Sequence, residues 1–161
     1  MEGLATLLTR SKEMNVLDYA VSYAKAGFQV VTLDSSMRAV RRSSTRDLHK
    51  IHEDFNSLKK NVGILAGFVS QVTVLEVCGE SPFLLYASLC ETYNELADSD
   101  PLVVSKPGKM FFFWQYKNNF SGRKLFDFAR FLNEKEVVVM PPSLSGDHIE
   151  RTKLSELRIS L

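Results

Sequence analysis

Between positions 106 and 130 the chain carries six basic residues, Lys106, Lys109, Lys117, Arg123, Lys124 and Arg130, against a single acid, Asp127. Ammonium and guanidinium groups at that density are suited to phosphate oxygens, even though the whole chain sums to a net charge of only +1. Immediately upstream the balance reverses, because Glu76 to Asp100 holds six acids and no Lys or Arg. Arg38, Arg41, Arg42 and Arg46 form a second basic cluster. Inside the first one lies Phe111-Phe112-Phe113-Trp114. These rings read either as a buried strand with aromatics on both faces or as a platform on which bases stack beside Lys106 and Lys109. Binding of nucleotide or single-stranded DNA, with Lys106, Lys109, Arg123, Lys124 and Arg130 on the phosphates, is the chemistry these residues suggest.

Other chemistries lack their residues. Cys78 and Cys90 form no CxxC and have no His at zinc-ligand spacing, so they read as reduced core thiols. His49, His52 and His148 accompany no GxSxG, no Walker motif and no dinucleotide glycine fingerprint. No metal or other cofactor is expected. No apolar run approaches the ~20 residues that span a bilayer. Met1 to Leu8 lacks a basic region followed by an apolar stretch, so neither a membrane nor a secretory route is expected, and the location reads as cytoplasmic.

The elements that must hold these residues follow from periodicity. Asn15 caps a helix through Leu17, Val21 and Ala24 that stops at Gly27. Phe28 to Leu33 is a β-branched strand, and Asp34 to Thr45 a polar loop. Ser44 and Asp47 have capping-box spacing ahead of an amphipathic helix with Leu48, Ile51, Phe55 and Leu58, running into Lys59-Lys60. Asn61 to Gly67 and Val72 to Cys78 are strands, the second carrying one odd acid, Glu76. In Gly63-x-x-x-Gly67 the glycines signal close backbone packing. Pro82 opens a helix through Leu96. Leu102 to Ser105 and Met110 to Trp114 form a hairpin around Lys106-Pro107-Gly108-Lys109. Leu125 to Leu132 fits a helix or a strand equally well. Val137 to Met140 is a strand that Pro141-Pro142 ends. Leu154, Leu157, Ile159 and Leu161 read as a terminal element folded back on the sheet or as a docking segment. Helices alternating with strands, then a hairpin, predict one α/β (α+β) domain over 1–161, a mixed sheet with helices packed on it.

Four segments then stand out together. They are Asp18-Tyr19-Ala20 through Gly27 to Leu33; Asn61-Val62-Gly63-Ile64-Leu65-Ala66-Gly67 with Ser70 and Val74-Leu75-Glu76-Val77; Pro107-Gly108-Lys109-Met110-Phe111-Phe112-Phe113; and Val137 to Ser143 with Gly146. In this order they resemble the bifunctional primase-polymerase domain of the archaeo-eukaryotic primase superfamily. That family holds divalent metals with two acids on one strand and a third acid on a later strand, and a hairpin histidine contacts the nucleotide. Such ions need oxygen ligands to clamp both reacting oxygens in phosphoryl transfer.

Carried over by position, the first acid matches Glu76 and the second matches Cys78, which offers no oxygen. The histidine matches Met110, which has no proton to donate, and the third acid matches Asp127. The resemblance therefore implies a degenerate centre with no metal. The expected role is that of a noncatalytic subunit of an archaeal DNA primase, beside the catalytic and large subunits. The alternative is an active, divergent primase-polymerase of a plasmid or virus that uses Glu76, Glu80 and Asp127 as ligands.

Overall fold

The first helix is fixed at both ends by backbone chemistry. In a computed structural model that describes residues 15–40, 44–56, 60–99 and 101–143, α1 is Val16–Lys25. The Asn15 side chain accepts from the Asp18 N–H at 2.9 Å, and the Asp18 carboxylate accepts from the Asn15 N–H at 3.2 Å. This reciprocal box supplies partners to donors that a helix start leaves open. At the other end Gly27 has φ 98°, Phe28 N–H donates to the Tyr23 carbonyl and Gly27 N–H to that of Ala24. That is the paired closure for which a glycine in the left-handed region is favoured.

β1 follows as Val30–Leu33, with all four residues buried. α2, Leu48–Asp54, is shorter than its periodicity predicts. Asp47 caps it alone, accepting from the N–H groups of His49 and Lys50, while the Ser44 hydroxyl donates to Gln29 Oε1. The carboxylate stands next to the first turn and is the stronger acceptor, so the expected Ser44 box does not form. Leu58 and Lys59 lie outside the described residues, as do Arg41, Arg42, Gly146, His148 and the apolar positions Leu154, Leu157, Ile159 and Leu161.

β2, Asn61–Leu65, and β3, Val72–Cys78, agree with the sequence. Close approach explains the two glycines between and within them. A Cβ at Gly63 would stand 3.0 Å from the Val138 carbonyl oxygen, and one at Gly67 would run into the Glu134 carboxylate. α3 is Pro82–Thr92, and α4 is the single turn Asn94–Ala97. The one helix expected from Pro82 to Leu96 is broken at Tyr93, which is extended at φ −119° and ψ 96°. The break swings Leu96 into the core beside Leu89. β4, Leu102–Lys106, and β5, Lys109–Gln115, form the expected hairpin. The ambiguous stretch is a second hairpin of β6, Lys124–Phe126, and β7, Ala129–Phe131. β8 is Val137–Val139.

The result is an α/β chain in which the strands divide between two sheets, β1-β2-β8 and β4-β5-β3-β7-β6. Every strand pairing among the described residues is antiparallel. One core joins α1 to both sheets through Tyr19, Tyr23, Phe28, Ile64, Val74 and Phe113. A second lies on the opposite face of the larger sheet, where α3 and α4 cover Leu75, Val77, Phe112, Trp114 and Phe131. Among the described residues no helix is long and apolar enough to cross a membrane.

Tyr23 ties the first helix to the end of β8, its buried hydroxyl donating to the Pro141 carbonyl at 2.6 Å. Burial holds its phenol well above the usual tyrosine range, so the hydroxyl keeps its proton through neutral and mildly alkaline pH. Tyr23→Phe leaves that carbonyl without this donor and is expected to cost about 1–2 kcal/mol in urea unfolding.

Candidate functional site

β3 occupies the centre of the five-stranded sheet, so its side chains are flanked on both sides. Alternate residues of a strand face opposite ways, and residues paired across strands face the same way. Glu76 pairs with Phe111 on β5 and with Arg130 on β7, while Cys78 pairs with Lys109, which pairs in turn with Lys106. Lys124 pairs with Arg130. Glu76, Cys78, Lys106, Lys109, Lys124 and Arg130 therefore share the face that packs toward α1 and the smaller sheet. Val77 pairs with Met110, which puts Met110 on the other face, against the α3 core. The position matched to the family's histidine thus cannot face what Glu76 faces. Lys109, one residue earlier on β5, shares the face of Glu76.

Glu76, only 12% exposed, is held by two cations. Lys109 Nζ stands 3.1 Å from one carboxylate oxygen and Arg130 Nε 3.2 Å from the other. The rest of the Arg130 fork engages Glu136, with Nη2 2.6 Å from Oε1 and Nη1 3.0 Å from Oε2. Glu136 immediately precedes β8, so this bidentate contact fastens the larger sheet to the smaller. Hydrogen bonding from Arg130 pulls the Glu136 carboxyl below its usual range, with help from the Asn133 N–H at 3.0 Å. Glu136 in turn raises the Arg130 guanidinium still further. Cys78 sits beside the cluster. Burial first, and then the charge of Glu76, pushes its thiol up, so it stays a neutral thiol rather than a thiolate ligand.

Lys109, Glu76, Arg130 and Glu136 alternate in sign, and two cations cancel two carboxylates. A divalent ion entering here would have to displace Lys109 or Arg130 from Glu76. The remaining acids do not come to its aid. Asp127 lies in the β6–β7 turn with its side chain 99% exposed, and Lys124 holds it at 2.9 Å. That hydrogen bond lowers the Asp127 carboxyl below its usual range. Glu80 is exposed beyond Gly79, past the end of β3. Among the described residues no three His, Cys, Asp or Glu side chains are grouped to hold a metal, so Glu76, Glu80 and Asp127 are not assembled as a ligand set.

The basic residues divide as well. Lys109 and Arg130 are committed to carboxylates. Lys124 shares an exposed pair with Asp127, an arrangement that contributes little and exchanges readily. Lys106 pairs with no carboxylate among the described residues. Arg123 belongs to the other face: its carbonyl accepts from Phe131 N–H, and its guanidinium lies 5.9 Å from the Phe120 ring centre. The five cations named from sequence do not line one groove. Phe111, Phe112, Phe113 and Trp114 are all buried, which excludes the stacking platform. Sequence reasoning missed Glu136, an acid directly ahead of three valines that carries no motif of its own.

No protein-family model matches this chain, and no curated protein matches it.

Proposed function

We propose that this chain is a noncatalytic accessory subunit of an archaeal DNA primase, working in the cytoplasm beside the catalytic and large subunits. It assists primer synthesis by holding single-stranded template or nucleotide near the catalytic partner, which raises local concentration at initiation. One observation carries the reading. The carboxylate at the family's first metal position is spent between Lys109 and Arg130, and the next position on that face is a protonated thiol. A two-metal phosphoryl transfer has nothing to stand on there. Lys106 and Lys124 flank the neutral cluster on the same face and supply the phosphate contacts.

Reconstitution tests this. With magnesium or manganese the chain alone is expected to incorporate no nucleotide on a template, and adding it to the catalytic and large subunits is expected to speed primer initiation. A Lys106→Glu, Lys124→Glu double variant should lose that stimulation and weaken single-stranded DNA binding, which itself should fall with rising salt. Incorporation by the chain alone, abolished by Glu76→Gln, would reject the proposal.

A further inference from the structure

α3 carries more apolar surface than the sheet beneath it covers. Leu89 is buried, and Leu85 and Tyr86 are half-buried against the larger sheet. Phe83 and Leu84 are turned outward, 62% and 64% exposed. Ala87, also exposed, lies four residues after Phe83 and three after Leu84, so the three share one side of the helix. A helix that is apolar on every side is ordinarily buried on every side. The small Ala87 beside two large side chains also lets a second helix approach closely.

The charge around this patch selects what covers it. Glu91 stands four residues beyond Ala87 on the same side, and Glu95 and Asp98 follow, all three exposed. No Lys or Arg occurs from Glu76 to Asp100. Lys106, Lys109, Lys124 and Arg130 face the opposite side of the larger sheet, and Arg123 and Lys117 stand by Glu95 at the α4 end. Such a surface repels phosphates, and a second copy of it would set acid against acid. An apolar stripe flanked by cations complements it. We propose that the outward face of α3 docks a basic amphipathic helix of the catalytic or large subunit. Its apolar stripe sits on Phe83, Leu84 and Ala87, and a Lys or Arg beside the stripe pairs with Glu91. The larger sheet then meets template on one face, at Lys106 and Lys124, and protein on the other. This inference rests on the accessory-subunit reading.

Sedimentation velocity of the full chain, alone and with the catalytic and large subunits, tests this beside single-stranded DNA binding and thermal unfolding. The wild type is expected to join the subunits, and a Phe83→Gln, Leu84→Gln double variant to bind them at least about tenfold more weakly. Glu91→Lys should weaken the complex severalfold at low salt, and the difference should shrink as salt rises. Phe83 and Leu84 are exposed, so the double variant should unfold at the wild-type temperature and bind DNA as the wild type does. A double variant that joins the subunits as tightly as the wild type overturns the docking face and leaves the accessory-subunit reading standing. A wild type that joins neither subunit overturns both. Wild-type dimers that the double substitution dissociates assign the face to a second copy, and a double variant that unfolds at a clearly lower temperature assigns it to packing within the chain. Either result overturns the proposal.

Discussion

Arg130→Met is expected to destabilise the chain by about 2 kcal/mol, several times the cost of Lys109→Met. Removing one partner of a fully buried pair costs about 3–5 kcal/mol, and the 38% exposure of the Arg130 side chain calls for a discount toward the surface value. Arg130 serves two carboxylates, Glu76 and Glu136, and its loss leaves both short of charge and cuts the tie between the sheets. Lys109→Met leaves Glu76 with Arg130, so about 0.5–1 kcal/mol is expected. The pH dependence separates this from a simple packing loss. Glu136 has a folded-state pKa below its unfolded value, near ~4.3, so its contribution is full above that pH and is lost as pH falls through the folded value. The wild-type chain should therefore lose stability on acidification through that window, and Arg130→Met should lose less over the same interval. Urea unfolding at a series of pH values reads both.

Phe113→Ala is expected to cost about 3–5 kcal/mol, the largest effect of any single truncation considered for this chain. Phe113 is fully buried, pairs with Val74 and Leu102, and belongs to the core that holds α1 and both sheets together. Its ring therefore fills space that no single element can close by moving. Phe83→Ala removes the same ring from a side chain that is 62% exposed on the first turn of α3, and a change within about 0.5 kcal/mol is expected. Thermal or urea unfolding of the two variants side by side checks the contrast. The same burial that makes Phe113 costly to lose removes the aromatic run from any role in stacking bases.

What could be seen in the sequence was local. Asn15, Gly27, Pro82 and the Pro107-Gly108 turn act on backbone groups within a few residues, and each stands where its own chemistry places it. Gly63 and Gly67 signalled close approach, though not that Val138 and Glu134 would be the neighbours. The candidate site was legible in its residue types and not in its facing. A two-residue turn makes Lys106 oppose Lys109, but which of Lys109 or Met110 shares a face with Glu76 depends on the register between β3 and β5, a pairing distant in sequence. Motif position alone therefore could not say that Met110 faces away from Glu76. The break at Tyr93 and the hairpin at Lys124 to Phe131 were hidden for a related reason. Apolar residues there suit two periods at once, and tertiary packing decides between them: Leu96 against Leu89, Phe131 against Phe120 and Trp114. Glu136 had no signal, because its role exists only once Arg130 reaches it across the sheets.

Manganese binding followed by electron paramagnetic resonance tests most directly whether Glu76, held between Lys109 and Arg130, is closed to a divalent ion. Titration of the wild-type chain is expected to show no bound manganese that depends on Glu76, so that Glu76→Gln gives the same free-ion signal at every concentration. One or two ions bound per chain in the wild type, and lost in Glu76→Gln, would contradict it.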